Sequence, residues 1–188
     1  MIMKLRLNQC YFAWLATWAT FLGCLATAFQ LAGLRINVTP SIPLGLYITT
    51  RNVPRPGEIA EFCPTGMPEE ESSRYRGYGL ACQDRAIPLL KPIVAGQGDL
   101  VEFSPHGIRV NGHLLPNTAP RLVDGKGRAI RAWPMGVYTV DHRHVVVAST
   151  YHPGSYDSRY LGPIPVADMT ATLRPLWTQA ALPREVPR

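Results

Sequence analysis

Two residues of this 188-residue chain have side chains and surroundings that together could do chemistry: Ser41 in NVTPSIPLGLYITT and Lys91 in AIPLLKPIVAGQGDLVEF. A serine hydroxyl is a poor nucleophile until a base takes its proton, and a lysine amine can be that base without a histidine. Pro40 and Pro43 stiffen the chain around Ser41 and predict an extended, non-helical segment there. If the Lys91 segment is a strand, Leu89, Lys91 and Ile93 share one face, so the ammonium sits among apolar groups. Desolvation lowers a lysine pKa, and bringing it from about 10.4 to near 7 takes roughly 4 to 5 kcal/mol. The plainer alternatives are a turn serine at 41 and, at 91, a lysine that reaches solvent from an edge strand.

A third cluster is SYDSRY, where an extended chain would put Ser155, Asp157 and Arg159 on one face. A carboxylate beside Lys91 would raise the amine's pKa and oppose a base role unless Arg159 neutralises it. Ser155 is therefore assigned to orienting Lys91, and a purely structural Asp157–Arg159 arrangement is the alternative role for that pair. In DHRH, His142 and His144 would share a strand face, with His152 following. Without a clearly placed carboxylate or thiolate ligand this reads as a solvated face, and no metal or other cofactor is expected. Neither a Gly-x-Ser-x-Gly elbow nor a phosphate-cradling glycine loop is present.

The elements that must position these residues begin with the stretch from Leu7 to Leu34, which has no charged residue and exceeds the roughly 20 apolar residues that span a bilayer. Lys4 and Arg6 precede it, so the positive-inside tendency exports the remainder. The division expected is 1–35 as a membrane anchor, or a signal sequence cut after Ala28, and 36–188 as one domain outside the cytoplasm. Removing Lys4 and Arg6 from 19 basic residues leaves 17 against 13 acidic ones, a net +4 scattered singly. Anionic lipid accounts for so mild an excess, and nucleic acid is not the expected partner. In an oxidising compartment Cys63 and Cys82 read as a disulfide, with two buried free thiols as the alternative.

Beyond the apolar stretch, LGLYITT, GEIAEFC, IPLLKPIVA, GDLVEFS, GIRVNGHLL, GVYTVD and HVVVAST read as short strands. PTGMPEEESSRYRGYG reads as a surface loop and the terminal PREVPR as frayed. With 18 prolines and 16 glycines as punctuation, the fold expected is mainly β and antiparallel.

KPIVAGQGDLVEF resembles the lysine box of the type I signal peptidases, and GIRVNGHLL, WPMGVYTV and SYDSRYLGPIP resemble the segments that follow it in order. Within that superfamily TPSIPLGLY, FCP, RGYG and DSRYLGP are similar to the TraF-type conjugative-transfer peptidases, a likeness covering roughly 33 to 168. The resemblance implies a signal-peptidase-like catalytic β domain at the outer, periplasmic face of the cytoplasmic membrane, with Ser41 as nucleophile, Lys91 as general base and Asp157 in a supporting catalytic role. It also implies a pilin precursor as substrate, a place in the conjugative transfer apparatus, and an acyl-enzyme that water or an amine resolves. Ser41, seven residues past Leu34, can be at most about 25 Å of extended chain from it, within reach of a bond close to a bilayer. The chain lacks the Gly-Asp-Asn-Arg of general signal peptidases after GVYTV and has Pro43 in an unusual place, which points to one dedicated substrate. The rival from another class is a membrane-anchored assembly protein that keeps the fold without activity.

Overall fold

The computed structural model describes residues 2–65, 67, 69–73, 82 and 86–181, and their side chains other than those of 2–10, 69 and 72. RGYG and PREVPR therefore lie outside the described residues. The chain divides into two compact units, 1–35 and 36–188.

The first unit holds α1 (Ile2–Leu31), in which Tyr11–Leu31 is long and apolar enough to cross a membrane. At 1.5 Å per residue those 21 residues rise about 31 Å, close to the thickness of a hydrocarbon core. Thr17, Thr20 and Thr27 return their hydroxyls to carbonyls one turn back, so none presents an unmet donor along the apolar surface.

The second unit is built from antiparallel strands: β1 (Leu34–Asn37, beginning in the first unit), β2 (Gly45–Thr50), β3 (Ile59–Phe62), β4 (Leu89–Ala95), β5 (Leu100–Ser104), β6 (Gly107–Val110), β7 (His113–Leu114), β8 (Gly136–Thr139), β9 (His144–Val147), β10 (Ile164–Pro165) and β11 (Met169–Thr178). Two four-residue helices, α2 (Glu69–Ser72) and α3 (Ser158–Leu161), interrupt them. One sheet has the order β1-β2-β11-β3-β4-β9-β10 and the other β7-β6-β5-β8. The expected strands form, and GIRVNGHLL folds back on itself as β6 and β7. Its turn uses Asn111 (φ 49°) and Gly112 (φ 84°), the left-handed pair that suits a two-residue hairpin.

The longest described strand, β11, was not expected. Pro175 cannot donate to a ladder, and here the ladder shifts register between Pro175 and Trp177, where that loss is tolerated. β11 lies between β2 and β3, so it joins the strand that follows Ser41 to the strand beside Lys91.

Three apolar clusters hold the domain. Val101, Phe103, Ile108 and Val110 of the four-stranded sheet pack on Val94, Ala95, Val146 and Ala148, at the ends of β4 and β9. Ala60, Phe62, Ile93, Val145 and Val147 form a second cluster, and Ile42, Tyr47, Ile59 and Leu173 a third. Cys63 and Cys82 are disulfide-bonded, with Cα atoms 5.6 Å apart. The bridge closes a segment that contains α2, and this segment is not wholly the surface loop expected. Glu71 is buried and accepts hydrogen bonds from the Tyr156 hydroxyl and the Arg131 N–H.

Candidate active site

Ser41 lies in the connection between β1 and β2, in a turn and not in the extended run that its prolines predict. Three anchors hold that turn. Ile42 is fully buried against Tyr47, Ile59, Leu173 and Leu90, a burial that contributes about 1.5 to 3 kcal/mol. Asn37 Nδ2 donates to the carbonyls of Thr39 (2.8 Å), Ile42 (3.0 Å) and Pro43 (3.2 Å), while its Oδ1 accepts from the Thr39 N–H and hydroxyl. The Tyr47 hydroxyl donates to the Pro43 carbonyl at 2.6 Å. Asn37 therefore ties down both flanks of Ser41, and sequence reasoning missed it.

Lys91 is on β4, which is paired on both sides, by β3 and by β9. The edge-strand route by which a lysine reaches solvent is closed to it, and only 4% of its surface is exposed. Its Nζ is 2.6 Å from Ser41 Oγ. Burial pulls the Lys91 pKa down from 10.5 to about 8; Asp157 opposes this by charge and Arg159 assists it. A neutral amine at that distance can accept the Ser41 proton.

The SYDSRY box does not run extended. Asp157 is the N-cap of α3, and the cap, not strand alternation, brings the carboxylate to Arg159. Asp157 Oδ1 accepts from Arg159 Nε (2.8 Å) and the Arg159 N–H (3.3 Å). Its Oδ2 accepts from Arg159 Nη2 (2.8 Å) and the Ser149 N–H (3.0 Å). The pair is fully buried, and Arg159 spends its remaining hydrogens on the carbonyls of Ser155, Pro153 and Asn117. A buried ion pair satisfied in this way fixes the local chain geometry. α3 ends at Gly162 (φ 73°), where an added Cβ would stand 2.5 Å from the Trp133 indole, so the glycine of this box is required twice over.

Ser155 does not make the hydrogen bond to Lys91 assigned to it. Its Oγ is buried with no hydrogen-bond partner among the described residues, and the residue contributes its backbone instead: its N–H donates to the His152 carbonyl and its carbonyl accepts from Arg159. The residue that does reach the serine turn is Ser149, whose hydroxyl donates to the Ser41 carbonyl at 2.5 Å. The only sequence signal for it is a hydroxyl just beyond the apolar run of β9.

The three histidines are differently employed. His142 sits in a turn and not on a strand face, His144 Nδ1 is 2.7 Å from Asp141 Oδ1, and His152 Nδ1 accepts from the Gly154 N–H. Among the described residues no group of three His, Cys, Asp or Glu side chains is placed to hold a metal ion.

An antiparallel β domain buries a lysine amine against a serine hydroxyl, and an apolar helix precedes that domain in the chain. Residues 8–177 match the family model described as signal peptidase, peptidase S26, and the chain belongs to that family. It is 35% identical over 156 residues to a plasmid transfer protein TraF of Escherichia coli, an alignment covering 82% of this chain and 88% of that protein. It is 36% identical over 159 residues to a probable conjugal transfer protein TraF of Sinorhizobium fredii, covering 82% of each. With a conjugal transfer protein TraF of Agrobacterium tumefaciens the identity is 34% over 166 residues, covering 85% and 91%. A signal peptidase I from Enterococcus faecalis superimposes with a TM-score of 0.38 at 19% identity, over 66% of this chain and 100% of that one.

Proposed function

We propose that this chain is a serine endopeptidase of the Ser–Lys type, held at the outer face of the cytoplasmic membrane, that matures a pilin precursor for conjugative transfer. The observation that carries the reading is the 2.6 Å contact between Ser41 Oγ and a buried Lys91 amine whose pKa is drawn down to about 8. Neutral Lys91 takes the hydroxyl proton as Ser41 Oγ attacks the carbonyl carbon of the scissile peptide. The Ser41 N–H is the natural donor to the resulting oxyanion. Protonated Lys91 then gives its proton to the leaving amine, and an acyl-enzyme remains. Attack by water, or by an amine of the substrate itself, releases a linear or a cyclic product, with Lys91 taking the nucleophile's proton and passing it to the departing Ser41 Oγ. The S26 family membership supports the peptidase chemistry, the names of the relatives support the transfer role, and α1 supports the membrane location.

Ser41→Ala and Lys91→Ala should each abolish processing of a co-expressed pilin precursor while the domain stays folded. The double variant should be no worse than either single one, because nucleophile and base act as a unit. Substantial turnover by either single variant would remove the dyad. Mass spectrometry of the pilin reads the outcome directly, since loss of one further water marks cyclisation. Activity should rise with pH towards a plateau above about 8 as Lys91 loses its proton.

A further inference from the structure

Ser149 is fully buried at the end of β9, and every hydrogen-bonding position of its hydroxyl is used. Its hydroxyl oxygen accepts from the N–H groups of Tyr151 (3.2 Å) and His152 (3.0 Å), which can only donate. The hydroxyl hydrogen is left with one acceptor, the Ser41 carbonyl at 2.5 Å. The rotor is therefore locked towards the serine turn. The Ser149 N–H in turn donates to Asp157 Oδ2 (3.0 Å), and the other three hydrogen bonds to that carboxylate come from Arg159. With four donors already on its two oxygens, Asp157 reaches Lys91 through its charge alone, whereas it reaches Ser41 through an unbroken run of hydrogen bonds.

We infer that Ser149 is a positioning residue for the Ser41 nucleophile: it transmits the fixed geometry of the Asp157–Arg159 pair to the Ser41 carbonyl, and so sets where Oγ and the Ser41 N–H point. The peptide plane between Ser41 and Ile42 is held at its oxygen by Ser149, and the chain beyond it by the Asn37 clamp. Releasing the oxygen lets that peptide plane turn, and with it the backbone from which Oγ projects. A displacement of about 1 Å in a reacting group is enough to cost roughly 100-fold in rate.

This inference rests on the Ser–Lys reading, and its test separates the two. The probe is the p-nitrophenyl ester of N-acetyl-alanine, with full-length protein in detergent micelles, rates being normalised to sites titrated with a serine-directed acylating agent. Attack by Ser41 Oγ releases p-nitrophenolate and leaves N-acetyl-alanyl-Ser41, with the hydroxyl proton passing to Lys91. Ser149→Ala should lower kcat roughly 10- to 100-fold per titrated site, leave KM within about twofold, and leave the midpoint of the acidic limb of the pH profile where it is, because no charge has changed. Asp157→Asn removes the charge that raises the Lys91 pKa, so its acidic limb should move to lower pH. Ser149→Cys, nearly the same size and a weaker donor, serves if the alanine variant does not fold, and should show the same split with a smaller loss. A wild-type kcat per titrated site in a folded Ser149 variant, or a moved acidic limb, overturns the positioning role even though Ser41→Ala is inert. Turnover by Ser41→Ala would remove the dyad and this role with it.

Discussion

Both sheets bury apolar side chains, but the seven-stranded one also buries charge. In the four-stranded sheet Val101, Phe103, Ile108 and Val110 point into an apolar core, and none of the candidate site residues lies on its strands. The seven-stranded sheet buries Glu61, Lys91 and Thr172, and beside it lie the buried Ser41, Ser149, Asp157 and Arg159. Burying charge costs free energy unless it is paired, so polar groups accumulate where geometry matters more than stability. The two regions are coupled through β4 and β9. Both strands run from the apolar core to the site, one carrying Lys91 and the other leading to Ser149, so the apolar layer fixes the frame in which the polar one works.

The largest loss of stability is expected in the apolar layer. Phe103→Ala should cost about 3 to 5 kcal/mol in chemical denaturation and leave the activity of the folded fraction near wild type, with the pH profile unmoved. If activity per folded molecule collapses instead, the four-stranded sheet is more than a frame.

In the polar layer the staple between Cys63 and Cys82 should contribute about 3 kcal/mol in the chain-entropy model. A Cys63→Ala/Cys82→Ala variant should unfold at correspondingly lower denaturant. Alkylation of both cysteines in the untreated, unfolded protein would show that the chain lacks the bridge.

Lys91 sharpens the contrast because its substitution should work in the opposite direction. The folded protein holds the amine near 8 and the unfolded chain near 10.5, so between those values the unfolded chain carries a proton the folded one has lost. Stability therefore rises with pH across that window, and the full penalty applies below about 8. Lys91→Met should stabilise the domain at pH 7 by up to about 3 kcal/mol, flatten that pH dependence, and abolish processing. Equal or lower stability with an unchanged slope would mean that its surroundings do not draw the lysine's pKa down.

Local signals made much of the outline legible. Val, Ile and Tyr runs bounded by Gly, Pro and Asn gave the strands from 45 to 147, because a half-buried pleat and a turn each demand particular residue types over a few positions. β11 was hidden by Pro175, whose usual meaning is reversed by a register shift visible only when β2 is alongside. The SYDSRY box misled through the assumption of an extended chain. The N-cap at Asp157 delivers the same Asp–Arg pairing by another route, yet leaves Ser155 Oγ without a partner among the described residues.

The sequence by itself determined the apolar N-terminal helix, the antiparallel character of the rest, and Ser41 and Lys91 as the pair to consider, since composition, spacing and motif are properties of the chain. Tertiary structure alone decided that β4 is central, so that the lysine is desolvated and its amine meets a hydroxyl 50 residues away. It alone brought Ser149 across 108 residues to the Ser41 carbonyl, and Asn37 to both flanks of the turn. The physical reason is that desolvation and hydrogen-bond direction depend on what surrounds a group in space, and a lone serine or asparagine in a sequence carries no record of its distant neighbours.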